Sequence, residues 1–356
     1  MSVAERERSP VHALLERVHE GADLAAEYPL VFGPDARGVT LAIADEGDVR
    51  AGCALLVREF HTGKHRVRGG LIGSVGTAQE WRGRGLGTRL VLEAERVLRE
   101  RGCIFALLWA DRPDFYLQRG WAPFGEELDV HVPAVLADAL PDPIGVRAAR
   151  SGDADALHAL YERHAARVER TRVEMRALLA VPGMRTLVRE RDGAPVAYAA
   201  LGRGRDLANA IHEWAGTADD VLALVRAHLE ERSAAGGDGL YLMAPPMESA
   251  LAERLSALGA TSVRGILGLG KVLRPRDAAE LLEAELGLRG CATVLDDGRL
   301  VLSGPSAGAD LDPDALQALL FGAAEVRDEA RKLLARLGLD PAGLPLQPFA
   351  WGLDSI

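Results

Sequence analysis

Between positions 82 and 87 the chain reads Arg-Gly-Arg-Gly-Leu-Gly, with a strand-like apolar run (67–77) before it and a helical repeat after it. In that repeat Leu90, Val91, Ala94, Val97 and Leu98 fall on one face. Few strand-to-helix turns are this bare. Glycine at 83, 85 and 87 leaves the backbone N–H groups open to close approach by an anion. The helix that starts here, from Leu86 and Thr88 onward, adds its unpaired N–H groups and the positive end of its dipole. Arg82 and Arg84 add charge of the same sign. Such a turn suits a pyrophosphate better than a plain tight connection. Two other glycine-rich phosphate turns fit poorly. A P-loop needs Gly-Lys-Ser/Thr, which is absent, and a dinucleotide G-x-G-x-x-G needs glycine where Thr88 stands.

The remaining pattern is α/β. A helix over 11–18 precedes strands over 39–44 and 51–60, and a short buried strand over 104–109 follows the glycine turn. A brief helix near 113–118 and one strand over 121–132 close this first unit. After Pro141-Asp-Pro143, a linker signal, the same order of elements recurs at similar length. Strand signals lie at 186–189, 196–201, 208–214, 240–244 and 265–272, with helices over 221–229 and 251–258. That recurrence reads as a duplicated domain. From Pro275 the pattern changes to a helix, a hairpin at Asp296-Asp-Gly298, two more helices and an apolar tail ending at Ile356 that is expected to dock. The expected domains are 1–140, 141–274 and 275–356, consistent with a chain of 356 residues.

Charge and cysteine content narrow the function. A formal charge of −10 with no run of lysine or arginine argues against nucleic acid and favours a cationic small molecule. Cys53, Cys103 and Cys291 are too far apart for a disulfide framework or a metal pair, so no metal is expected and a reducing cytoplasm is. No apolar run reaches the roughly 18 residues of a membrane span, and the charged first ten residues do not resemble a secretory signal.

Arg82-Gly-Arg-Gly-Leu-Gly87 resembles the Q/R-x-x-G-x-G/A pyrophosphate loop of the GNAT superfamily of acetyltransferases, and Phe115-Tyr-Leu-Gln-Arg-Gly-Trp121 resembles that family's F-Y-x-x-x-G-F segment. One helix and one strand separate the two motifs, as that fold requires. The resemblance implies tandem GNAT folds, with mixed, mostly antiparallel sheets flanked by helices and a small C-terminal α+β region. It implies an acetyl-CoA-dependent N-acetyltransferase in which Val75, Gly76 and Thr77 pair with the pantetheine arm. Residues Gly83, Arg84, Gly85, Leu86, Gly87 and Thr88, with Arg82, would surround the pyrophosphate, and Tyr116 would protonate the departing thiolate. The chain departs from the pattern at Gln79, where proline is common.

The second unit lacks the glycine loop. Its strand Ile211-His-Glu-Trp214 leads into Ala215-Gly-Thr-Ala-Asp-Asp-Val221, whose aspartates would repel a pyrophosphate, so a degenerate copy is expected. His212 and Glu213 alternate on that strand, as substrate-facing or plainly structural groups. Tandem units followed by a smaller region resemble the enhanced-intracellular-survival (Eis) type, in which the C-terminal carboxylate acts as base. The main-chain carboxylate of Ile356 is the corresponding candidate, set against a tail that merely packs. Glu59, His61, Asp111, Glu126 and Glu127 are other candidate bases, none singled out by spacing. A primary amine on a small molecule is the favoured acceptor. Acylation of a protein or peptide amine and a non-catalytic acyl-CoA sensor are the rivals, and oligomerisation is left open.

Overall fold

The β-branched and apolar runs of the first hundred residues pair as a meander. β1 (Val3–Glu5), β2 (Val39–Asp45), β3 (Asp48–Thr62) and β4 (His65–Thr77) lie side by side and antiparallel. Helix α1 (Arg8–Val18) covers β3 and β4 on one face, followed by the short α2 (Leu24–Glu27) and α3 (Pro29–Phe32). On the other face lies α4 (Leu86–Glu100), whose apolar stripe Leu90, Val91, Ala94, Val97 and Leu98 is buried. β5 (Phe105–Leu108) then joins β4 in parallel, and α5 (Pro113–Leu117) leads to β6 (Ala122–Phe124). The computed structural model describes residues 3–5, 8–19, 23–34, 36–248, 250–341 and 343–356.

The strand expected over 121–132 is broken in two. Gly125 takes φ 61°, and its N–H donates to Phe321 O at 2.9 Å instead of to a strand. β7 (Glu127–Pro133) therefore leaves β6 and enters a second sheet. The second half of the chain returns the exchange. Its elements are β8 (Val146–Ala148), α6 (Ala154–Tyr161), β9 (Ala166–Val168), α7 (Arg172–Leu179), β10 (Arg185–Arg191), β11 (Ala194–Leu201), β12 (Ala210–Ala215), α8 (Ala218–Ala234), β13 (Gly239–Ala244), α9 (Ala250–Ala257), β14 (Thr261–Gly265) and β15 (Gly268–Val272). The run expected as one strand over 265–272 is thus β14 in the second sheet and β15 in the first. β15 sits antiparallel between β5 and β6, with Leu269 opposite both Leu108 and Pro123. The first sheet has eight strands in the order β1-β2-β3-β4-β5-β15-β6, with β9 added on β3, and the second has seven in the order β14-β7-β13-β12-β11-β10-β8. Cuts at 140 and 274 therefore do not separate the two sheets. β9 and α7 have no counterpart in the sequence reading.

The last region is α10 (Pro275–Leu286), β16 (Ala292–Val294), β17 (Leu300–Ser303), β18 (Gly308–Leu311), α11 (Ala315–Phe321) and α12 (Ala324–Leu337). The hairpin expected at Asp296-Asp-Gly298 joins β16 to β17, with Gly298 at φ 86°, and β18 adds a third strand. Phe321 stacks on Phe124 at 4.9 Å and packs tilted against Phe105 at 5.2 Å, seating α11 on the first sheet. Gln317 straddles β15, its amide donating to Gly270 O at 2.9 Å and its oxygen accepting from Val272 N at 3.0 Å. Among the described residues, no helix is long and apolar enough to cross a membrane.

Candidate active site

The site begins as a fault in β4. Ala54 pairs with Gly73 and Gly52 with Gly76, so Ser74 and Val75 together oppose Cys53 alone. Ser74 takes φ 50°, as an extra bulge residue does. The bulge bends β4 away from β5. Parallel pairing covers only Gly69–Phe105, Gly70–Ala106 and Leu71–Leu107 and then stops. Val75, Gly76 and Thr77 thus lie where the two strands have parted, with β3 on one side and an open edge on the other.

Beyond Thr77 a single 3-10 turn (Gln79–Trp81) delivers the chain to the glycine loop. Gly83 and Gly85 take φ 76° and 74°, and a Cβ at either would meet nothing within 4 Å. Glycine is required there for conformation, not for room, since side chains rarely adopt that region. Gly85 is the N-cap of α4 and supplies no side-chain acceptor. Among the described residues, the N–H groups from Gly83 to Thr88 have no protein acceptor, and the first satisfied one is Arg89 N–H on Gly85 O at 3.2 Å. The first turn of α4 holds no acidic residue. Arg82 donates to Thr77 O at 3.3 Å, and Arg84 lies over the Trp81 ring at 4.5 Å, so both cations are held beside the turn. Leu86 plugs the core below it, and Thr88 Oγ1 accepts from Arg119 at 2.8 Å.

Arg119 stacks at 4.0 Å on Phe115 and so ties α5 to the start of α4. Tyr116 packs edge-on against Phe115 at 4.9 Å and Trp121 at 5.9 Å. Burial, and to a smaller extent Cys53, pushes its phenol up to about 12, against the opposing pull of Arg119. The phenol therefore keeps its proton at neutral pH. Cys53 is the residue opposite the bulge, and Tyr116 packs against the same buried cluster, on the α4 side, that holds Cys53 and takes up Val75.

The C-terminus arrives from the other side. The tail is buried through Phe349, Ala350, Trp351, Leu353 and Asp354. A Cβ on Gly73 would collide with the carbonyl group of Ile356, so the terminal carboxylate rests on β4 immediately before the bulge. Two arginines hold the segment leading to it. Arg170 donates from Nε to Asp354 at 2.8 Å and forks onto Glu213 at 3.0 and 2.7 Å, all three side chains being at most 1% exposed. Tyr161 and Tyr198 complete this network on Asp354 and Glu213. Arg203 donates to Gly352 O and, at 3.2 Å, to Ser355 O.

His212 and Glu213 are both fully buried. His212 lies directly under Gly352, and burial drops its ring to about 3. Neither side chain lines an open cavity. The other candidate bases are dispersed. Glu59 is paired with Arg68, His61 lies 3.5 Å from Glu169, and Glu126 is clamped between Arg264 and Arg327. Glu127 is pushed up to about 8 by burial and then by Asp129, but it stands in the second sheet. Asp111 is exposed, and its charge and the Ser74 backbone both act on the His19 ring. Burial lowers His19 more than Asp111 raises it. No local motif marks His19; only the approach of α1 to the bulge does. Among the described residues, no group of three His, Cys, Asp or Glu side chains could hold a metal ion.

Residues 3–124 match the family model described as an acetyltransferase (GNAT) domain. No curated protein matches the chain in sequence. Solved structures that share the fold include a GCN5-related N-acetyltransferase from Anabaena variabilis, with TM-score 0.70, 14% identity and all of both chains covered. A GCN5-related N-acetyltransferase from Kribbella flavida gives TM-score 0.63 and 15% identity, covering 99% of this chain and 98% of that one. Eis1 from Mycobacterium abscessus gives TM-score 0.61 and 16% identity, covering 98% and 99%.

Proposed function

We propose that this chain, a GNAT acetyltransferase by its residues 3–124, moves an acetyl group from acetyl-CoA to a primary amine by direct attack in a ternary complex. The open edge of Val75, Gly76 and Thr77 receives the pantetheine arm, and the unpaired N–H groups from Gly83 to Thr88, flanked by Arg82 and Arg84, bind the pyrophosphate. The observation that carries the reading is the convergence of two groups on one bulge. Tyr116 packs on the α4-side cluster that contains Cys53, the residue opposite the bulge, and the Ile356 carboxylate rests on Gly73 immediately before it.

The chemistry follows from that placement. The Ile356 carboxylate takes a proton from the acceptor ammonium, leaving a neutral amine that attacks the thioester carbonyl. Backbone N–H groups at the parted strand stabilise the oxyanion. As the intermediate collapses, the C–S bond breaks and the Tyr116 O–H protonates the thiolate. No covalent enzyme intermediate forms. The second sheet, whose α8 lacks an open glycine turn, binds no CoA.

The acceptor approaches through a cavity of about 390 Å³ lined by Asp23, Glu27, Pro182, Leu201 and Arg203. Arg203 is the residue bonded to Ser355, which places this cavity next to the end of the chain. Its volume suits a small molecule, and its two carboxylates, against the one cation Arg203, leave a net negative lining that favours a cationic amine. Release of free thiol from acetyl-CoA is the test. Turnover is expected with polyamine-like or aminoglycoside-like substrates. Tight acetyl-CoA binding with no thiol release across a broad amine panel would instead establish a sensor.

A further inference from the structure

The geometry points to Arg170 and Arg203 as positioning residues for acetyl transfer: from the second half of the chain they fix the C-terminal segment so that the Ile356 carboxylate stays on Gly73. This inference rests on the carboxylate reading above and assigns a task to a sheet that binds no CoA.

Chain ends ordinarily fray, and this one has little structure of its own to prevent it. After Leu337 the chain forms a single 3-10 turn, Gly352–Asp354, among the described residues. Apolar packing alone, through Phe349, Trp351 and Leu353, would hold the tail down without fixing its last atoms. The polar contacts supply direction. Arg170 grips Asp354 through Nε while both of its terminal nitrogens are committed to Glu213 on β12. Its guanidinium plane is stacked at 4.0 Å over Tyr161, whose hydroxyl reaches Asp354 at 3.1 Å. Asp354 is therefore held at both oxygens.

Arg203 acts on either side of Asp354 and reaches one residue nearer the end. It accepts no freedom of its own, because it bonds Glu27 O at 2.8 Å and lies 4.6 Å over Tyr28. From that fixed position it donates to the carbonyls of Gly352 and Ser355 and to Ser355 Oγ at 3.1 Å. The arginine thus straps the tail to the α2 segment of the first half, one residue before the carboxylate. Two buried cations, Arg170 and Arg203, face two buried anions, Glu213 and Asp354, so the cluster is neutral as a whole. Buried ion networks of this kind add little stability over apolar packing; here the contacts fix the direction of the tail. Neither arginine touches reacting atoms.

The test uses the full chain and compares Arg203→Met, Arg203→Lys, Asp354→Asn and a chain extended by one glycine after Ile356. Arg203→Met is expected to lower kcat about 30- to 100-fold, the usual consequence of displacing a catalytic group by about 1 Å, with KM for acetyl-CoA within about twofold. Added acetate is expected to restore part of that kcat, and Arg203→Lys to retain more activity than Arg203→Met. Asp354→Asn, which preserves the shape of the contact, is expected to lower kcat and shift the acidic limb of its pH profile, and it carries the test alone if Arg203→Met does not fold. The inference is overturned if folded variants keep the parental kcat and pH profile while the glycine extension abolishes turnover. If the extended chain turns over normally, the carboxylate reading itself fails.

Discussion

Two helices start at matching points of their sheets, α4 after β4 and α8 after β12, and their first turns are built in opposite ways. At α4 the cap is a glycine at positive φ, no carboxylate stands in the first turn, and six successive N–H groups from Gly83 to Thr88 have no acceptor among the described residues. At α8 the cap is Thr217, which accepts from Asp220 N at 3.3 Å while its hydroxyl donates to Asp220 Oδ2 at 2.7 Å. Asp219 and Asp220 occupy that first turn and are neutralised in their turn by Arg254, Arg189 and Arg191. Every helix start presents the same unpaired donors and the same positive dipole end. What distinguishes a phosphate site is that the chain declines to fill it. A capped helix start is a finished structure, whereas the uncapped one, preceded by two left-handed glycines, is the proposed anion site.

Making α4 resemble α8 gives the largest expected effect. Gly85→Asp brings a carboxylate and a strained φ to the N-cap, and it should weaken acetyl-CoA binding by about 100-fold or more in calorimetry while the fold survives. Binding within threefold of the parent would end the comparison. Tyr116→Phe sharpens it on the chemical side, because Tyr161 and Tyr198 of the second half are locked into the Arg170 network and Tyr116 is not. Its kcat should fall by about 100-fold with KM for acetyl-CoA nearly unchanged, and the loss should persist at every pH.

Glu127→Gln separates the sheets by stability. The folded protein holds the Glu127 proton to about pH 8, whereas the unfolded chain releases it near the ordinary value of 4.5. The folded state binds more protons between these values, so stability is full below 4.5 and is lost as the pH rises through 8. The amide should therefore match the parent near pH 4 and exceed it by up to about 5 kcal/mol at pH 9, read as a higher Tm, with acetyl-CoA affinity unchanged. The smallest effect is the converse of the first. Thr217→Ala opens the start of α8 at a cost of about 1 kcal/mol, and it should create no second site for CoA.

The features legible in the sequence are those written in consecutive residues. The glycine loop, the Phe115–Trp121 segment and the stripe of α4 all lie within about one helix length. Apolar runs marked most of the long strands for the same reason. The strand exchange escaped because apolar residues stand on both sides of Gly125, and one glycine does not announce that its two flanks belong to different sheets. β9 and β18 are too short to show a period. Arg170 and Asp354 are 184 positions apart in sequence, and nothing local to either predicts the pair. His19 needed the approach of α1 to Ser74 before it meant anything. The site is thus half local motif and half long-range closure, and only the first half can be read linearly.

The traded strands also set a timetable for the molecule's birth. As the chain leaves the ribosome, everything up to β6 can collapse early, but the gap between β5 and β6 stays vacant until residue 272 has emerged, and β7 has no neighbours until β13 and β14 are made. Each half waits with an unsatisfied strand edge, the kind of surface that invites wrong partners. A nascent chain halted before β15 should accordingly be protease-sensitive and sticky, and the two halves should melt together, since neither can lose its sheet without dismantling the other's.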